Sequence, residues 1–237
     1  MQAYLFTNQG GRHHNEDSAD FCQLEDRGCF AVADGLGGIK GGEAASACVI
    51  EKLMNDWRAA EGDWDNWMEP EITQLNEQVL QLQSNTRGSM KSTVTMLITQ
   101  EEDFYWASVG DTRLYCLENG EIRQITSDHS VTYKKFLAGQ ISRNAINFDE
   151  DRSSLLRAVG DVQRCRPDHG CVPGGVKPGS AFLLCTDGFW EYLFDEEILL
   201  DRLKSDTPRQ WVEYMLLRVM ERLTPGTDNL TALAVMV

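Results

Sequence analysis

Hydrophobic and polar positions change their period several times along the chain. Short apolar or alternating runs, closed by polar or glycine residues, predict strands at Ala3–Thr7, Ser18–Leu24 and Cys29–Ala33. From Glu43 to Ala59 the spacing turns helical, with Ala44, Ala47, Ile50, Leu53, Met54 and Trp57 on one face. A second helix is expected over Pro70–Gln83, with Pro70 in its first turn, where a missing N–H has no helical partner to lose. Between the two, Glu61–Met68 reads as a loop with three acids and two tryptophans. Strands resume at Thr93–Thr99, Phe104–Val109 and Arg113–Leu117. Asn119-Gly120, flanked by Leu117 and Ile122, is a two-residue hairpin signal because both residues tolerate positive φ. Val131–Ala138 predicts a short helix, Gly139–Ser153 is polar enough to read as a mobile flap, and Pro167–Gly179 reads as a loop. Ala181–Thr186 is a buried strand, Asp195–Leu203 and Pro208–Leu223 are helices, and Leu230–Val237 is a last strand. Strands joined by hairpins, with helices grouped in pairs, predict an α+β four-layer sandwich: two central antiparallel β-sheets flanked by pairs of α-helices.

Composition narrows this picture. At 237 residues the chain fits a single domain, 1–237, with a small flap region about 131–153. The net charge of −15 argues against a nucleic-acid partner, which calls for a basic stripe. The seven cysteines are odd in number and form no C-x-x-C, so they read as reduced thiols rather than a disulfide framework or zinc site. Met1–Gly10 lacks the basic start and apolar core of a signal peptide, and no stretch approaches the roughly 20 apolar residues of a membrane span. A cytoplasmic monomer without membrane contact is expected.

The positions of the acids carry the chemistry. Asp34, Asp111, Asp187 and Asp228 each sit at the end of a run that reads as a buried strand, and Glu16-Asp17 precede another. A lone Asp-Gly after a strand is usually only a turn. Four strand-end carboxylates together are tolerable only where protons or cations neutralise them. Oxygen-only donors select Mg²⁺, Mn²⁺ or Ca²⁺ over zinc or copper.

Eight segments then resemble, in order, the motifs of the metal-dependent protein serine/threonine phosphatases of type 2C (the PPM family), in their bacterial form. They are Gly11-Arg12-His13-His14-Asn15-Glu16-Asp17, Ala33-Asp34-Gly35-Leu36-Gly37-Gly38, Gly41-Gly42-Glu43-Ala44-Ala45-Ser46, Val109-Gly110-Asp111-Thr112-Arg113, Thr126-Ser127-Asp128-His129-Ser130, Leu156-Arg157-Ala158-Val159-Gly160, Cys185-Thr186-Asp187-Gly188 and Asp228-Asn229-Leu230-Thr231. The resemblance implies two Mn²⁺ or Mg²⁺ ions and a weaker third. Asp34 would bridge the pair, Asp187 and Asp228 would complete one site, and Glu16 with the Gly35 carbonyl the other. Asp17 would accept from ion-bound water, and Asp111 with Asp187 would hold the third ion. The shared water would attack phosphorus in line. Arg12 matches the phosphate-binding arginine, its guanidinium fork suiting bidentate contact; a surface ion pair with Glu16 or Asp17 is the plainer reading. Arg113, Arg157 and His129 read as structural. Phe189-Trp190-Glu191-Tyr192 reads as core packing or as a wall beside the ions.

The sequence departs from the pattern at one place. Leu36 stands where the eukaryotic branch carries a histidine, and Ile39 where many bacterial members do, so no dedicated histidine acid is expected. His13 and His14 remain spare candidates. The implied activity is hydrolysis of phosphoserine and phosphothreonine in proteins, opposing a serine/threonine kinase or acting in secretion-system control. The competing readings are a phosphoprotein-binding relative without turnover, and a phosphatase for small phosphoesters or an unrelated two-metal nuclease, the last disfavoured by the acidic surface.

Overall fold

The computed structural model describes residues 1–37, 41–86 and 88–237. Gly38 and Ile39, singled out above, lie outside the described residues. One sheet contains β1 (Gln2–Asn8), β7 (Arg113–Glu118), β8 (Glu121–Gln124), β10 (Ala181–Cys185) and β11 (Leu230–Met236), in the order β1-β11-β10-β7-β8. The other contains β2 (Asp17–Gln23), β3 (Arg27–Gly37), β5 (Val94–Gln100), β6 (Asp103–Val109) and β9 (Asp168–Val172), in the order β2-β3-β5-β6-β9, with β4 (Met90–Ser92) added on β3. The strand pairs are antiparallel.

Side chains alternate across each strand, and the central strands such as β3 and β10 are apolar on both faces. On β3, Cys29, Ala31 and Ala33 pack beneath α1 (Gly41–Ala59) and α2 (Trp64–Thr86), while Phe30 and Val32 face the opposite sheet. On β10, Leu183 and Cys185 pack against α5 (Asp195–Leu203) and α6 (Pro208–Arg222), while Phe182 and Leu184 turn to the sheet interface. There Phe104 and Phe182 meet edge to face with centroids 5.0 Å apart. Three apolar layers therefore join four layers of secondary structure, the predicted sandwich. Asn119 and Gly120 take φ of 55° and 78° and join β7 to β8, as their hairpin signal requires. No helix among the described residues is long and apolar enough to cross a membrane.

Two segments differ from expectation. Glu61–Met68 is not all loop: α2 starts at Trp64, so Pro70 lies inside the helix rather than in its first turn. Tertiary burial outweighs the proline signal. Trp64 stacks on Trp57 (6.3 Å), meets Trp67 edge-on (5.6 Å), and takes the Arg27 guanidinium over its ring. Pro167–Gly179 contains β9, whose small and polar residues show no alternation; it is an edge strand, paired with β6 alone among the described strands. The region read as a flap, about 131–153, contains α3 (Val131–Leu137) and a 3₁₀ turn at Arg143–Phe148. Lys135 of α3 holds its later part through Asp149 (2.9 Å) and Asp151 (2.8 Å), and Arg152 ties it to Glu191 (3.3 Å).

Phe182→Ala removes the central ring of the sheet interface and is expected to cost about 3–5 kcal/mol, read as a lowered midpoint in chemical denaturation with unchanged slope. A loss below about 1 kcal/mol shows that the two sheets do not depend on this contact.

Candidate metal centre

The acids converge at one end of the sandwich: Asp111, Asp187 and Asp228 flank strand ends as expected, whereas β3 runs on past Asp34 to Gly37 because β4 pairs with its last residues. On β3, Asp34 lies in register with Asp17 of β2. Its backbone is pinned by Thr93: the Asp34 N–H donates to Thr93 Oγ1 and the Thr93 N–H donates to the Asp34 carbonyl, both at 2.8 Å. Asp187 opens α4 (Asp187–Trp190) directly after β10. Asp228 precedes β11, and Asn229 fastens the 9–16 loop beside it. The Glu16 N–H donates to Asn229 Oδ1 (2.8 Å), and Asn229 Nδ2 donates to the carbonyls of Gln9 and His14 (2.9 Å each). The Glu16 carboxyl also lies close against Gly42 in the first turn of α1, where a Cβ on Gly42 would come within 2.8 Å of its carboxyl carbon. That approach needs two glycines: a Cβ on Gly35 would lie 2.2 Å from the Gly42 carbonyl oxygen, and one on Gly42 2.6 Å from that of Gly35.

A cavity of about 260 Å³ is lined by five acids, Glu16, Asp34, Asp111, Asp187 and Asp228, together with Arg12 and Gly35. Leu36, Gly37, Ser153 and Leu155 complete the wall. Asp17 lies behind it, accepting from Thr186 Oγ1 at 2.9 Å. Among the described residues, no three of these acids are already closed into an ion cage; they ring the cavity. Arg12 instead reaches Asp228, with Nη2 2.6 Å from Oδ2. The ion pair foreseen as its plain alternative therefore exists, with a different acid.

The electrostatics are those of crowded carboxylates. Burial, followed by the charges of Asp187, Asp17, Asp111 and Asp228, pushes Asp34 well above the usual carboxylate range. Asp111 is raised in the same way by burial, Asp187 and Asp128, with Arg113 opposing. Burial takes Asp17 up to about 7 against the hydrogen bonds from Thr231 and Thr186. Burial and Asp228 take Asp187 up to about 6, opposed by the Gly188 N–H, Arg12 and Arg152. Burial also raises Glu16, against the Gly42 N–H and Arg12. A hard, oxygen-only donor set that is short of positive charge fits Mg²⁺ or Mn²⁺.

Behind the cavity lie contacts that carry little signal in the sequence. Glu191, one turn past Asp187, is raised to about 7 by burial and then Asp187, opposed by Arg152 of the flap. Its only sequence signal was its closeness to Asp187. The Arg113 guanidinium grips Asp128 (Nη2–Oδ2 2.6 Å), donates to the Tyr115 hydroxyl (2.9 Å), and lies 3.4 Å from the Trp190 ring centroid. Trp190 Nε1 donates to the Asp111 carbonyl (3.0 Å). His129 Nδ1 accepts from the Gly110 N–H (3.1 Å), which leaves the ring proton on Nε2, facing Asp168 Oδ2 (3.0 Å). Arg113 and His129 thus hold the Asp111 loop from behind, the structural role read for them, and Trp190 is core packing rather than a wall of the cavity.

The raised carboxylates make a stability prediction. In chelator, the folded protein holds protons that the unfolded chain releases, so its stability should fall as pH rises from about 4 toward about 7. Saturating Mn²⁺ should abolish that fall and raise the unfolding midpoint at pH 7. Thermal unfolding against pH, with and without the ion, reads both; a flat chelated profile removes the crowding.

A family model described as Protein phosphatase 2C matches residues 9–227. The chain is 30% identical over 214 residues to the serine/threonine phosphatase stp of Listeria welshimeri, covering 86% of this chain and 84% of that protein. It superposes on the serine/threonine phosphatase Stp1 of Staphylococcus aureus with a TM-score of 0.89 at 27% identity, covering 99% and 94% of the two chains. The catalytic domain of the serine threonine protein phosphatase PstP, in complex with 2 manganese ions, gives a TM-score of 0.83 at 25% identity, covering 98% and 96%. Matched over most of its length by the family model, with its acids gathered at one cavity, the chain belongs to the protein phosphatase 2C family.

Proposed function

We propose that the protein hydrolyses phosphoserine and phosphothreonine esters in proteins, with Mn²⁺ or Mg²⁺ held in the carboxylate cavity. The observation that carries this reading is the lining of that one cavity by Arg12, Glu16, Asp34, Gly35, Asp111, Asp187 and Asp228. The manganese-bound PstP relative supports the choice of ion. Two ions would be held by Asp34 as the shared ligand, by Asp187 and Asp228 on one side, and by Glu16 and the Gly35 carbonyl on the other. Asp111 and Asp187 would hold a third, more weakly. When bound, the ions neutralise phosphate charge and lower the pKa of water, so that no side-chain nucleophile is called for.

The chain's own groups do the rest. Arg12 is half exposed and paired with one carboxylate, itself 40% exposed, so its guanidinium is free to turn onto the phosphate and orient it. Asp17, fixed by Thr186, accepts a proton or hydrogen bond at the back of the cavity. The ester P–O bond breaks as a water oxygen bonds to phosphorus, releasing inorganic phosphate and a free Ser or Thr hydroxyl. Leu36 lines the cavity, whereas His13 and His14 are exposed and do not. The leaving oxygen is then protonated by a water held at Asp111. We place the enzyme opposite a serine/threonine kinase, with secretion-system control as one such pathway; comparing phosphoproteomes of a deletion strain and its parent tests both.

Asp34→Asn should lower turnover by several orders of magnitude with the fold intact by circular dichroism. Asp111→Asn should keep two bound ions by calorimetry and still lose most activity. Near-normal rates for the first variant, or loss of the two ions in the second, overturn the ligand assignment.

Side-chain acid catalysis is typically worth about 10²–10⁴-fold, and most for a poor leaving group. His13→Ala and His14→Ala should each change phosphopeptide hydrolysis by far less than that. A variant that cripples phosphopeptide turnover while sparing an aryl phosphate identifies that histidine as the acid.

A further inference from the structure

One segment, 153–157, lines two cavities in turn. Ser153 and Leu155 line the carboxylate cavity, whereas Leu156 and Arg157 line a separate groove of about 520 Å³. The segment is fixed to the Asp111 support, because the Leu156 N–H donates to the His129 carbonyl at 2.7 Å.

The groove is basic on an acidic protein. Lys134, Arg157, Arg164 and Arg166 line it, on a chain of net charge −15. Its two acids are already matched: Asp128 by Arg113 at 2.6 Å, and Asp168 by Arg157 at 2.7 Å and His129 at 3.0 Å. Neighbouring cations are also matched, Lys135 by Asp149, Arg143 by Asp195 and Arg152 by Glu191. The exposed side chains of Lys134, Arg164 and Arg166, by contrast, make no ion pair or hydrogen bond among the described residues. Gathering unmatched cations costs self-repulsion that an anionic ligand would relieve. Beside these charges lie Tyr133, Leu156 and Leu137, the last 68% exposed. A free phosphate would use neither the apolar residues nor the length of the groove. A peptide carrying acidic and apolar residues would use both, and the overall charge disfavours a nucleic acid.

We propose that this groove docks an acidic stretch of the phosphoprotein substrate, at a distance from the phosphate being hydrolysed. The proposal rests on the protein-phosphatase reading above. It makes substrate choice a matter of two contacts, the phosphorylated residue at the carboxylate cavity and the acidic stretch at the basic groove. Tethering through the second raises the local concentration of the first, so the effect falls on KM rather than on kcat.

The test uses two phosphothreonine peptides, one with a run of Glu and Leu several residues from the phosphate and one with Gln in place of Glu. An aryl phosphate is the third substrate. Wild-type protein should show a KM roughly tenfold lower for the acidic peptide at equal kcat, and the advantage should shrink with salt. R164E/R166E, and separately K134E, should raise that KM toward the Gln-peptide value and leave the aryl phosphate rate unchanged. Equal kcat/KM for both peptides in the wild type overturns the docking groove, as does an equal loss on all three substrates in the variants. A groove that serves a free anion instead shows no peptide preference, while sulfate raises the unfolding midpoint of the wild type and not of R164E/R166E; that result also overturns the proposal. Hydrolysis of the aryl phosphate with neither peptide cleaved overturns the protein-phosphatase reading itself, and the docking groove with it.

Discussion

Mutual repulsion among carboxylates is the constraint on which this molecule is built. Asp17, Asp34, Asp111 and Asp187 are all pushed up by burial and by their acidic neighbours. Left alone, such a group would spread or protonate. The fold resists the first outcome by fixing backbone rather than side chains. Thr93 pins Asp34, Asn229 pins the Glu16 loop, and the Gly35–Gly42 contact sets α1 against the end of β3. The carboxylates stay gathered, and divalent cations become the natural means of neutralising them.

Behind this acidic cavity the charges are balanced. Arg113 and Asp128 form a buried pair capped by Trp190, and Trp190 in turn holds the Asp111 carbonyl. A buried ion pair adds little stability by itself; here it fixes the direction from which Asp111 enters. His129 performs a similar task from the Gly110 side. The division of labour is spatial: unbalanced charge faces the cavity and balanced charge supports it.

The fold was largely legible because each buried strand announces itself as a continuous apolar run. Cys29 and Phe30 face different layers, yet both are apolar, so the strand is visible while its two faces are not. β9 was hidden because an edge strand with Gly170 and His169 carries neither run nor alternation. The start of α2 was hidden because a proline outweighs tryptophan burial in any local reading. Asp34, Asp111, Asp187 and Asp228 were legible as acids at strand ends, but Arg12, Glu16, Asp17 and Gly35 gained roles only through family motifs. The Thr186 contact with Asp17, and the pull of Arg152 on Glu191, join residues far apart in sequence. No window along the chain contains them.

The first and last strands are paired along their whole length, from Gln2 with Met236 to Asn8 with Leu230. Asn229, which clasps the Glu16 loop, stands at the foot of that last strand. Synthesis runs from the other end, so a nascent chain carries nearly all its acids long before they can meet. Closure of so non-local a sheet is a late and slow event. Gathering the acids at the cavity therefore waits on the pairing of β11 with β1, two strands separated by nearly the whole length of the chain.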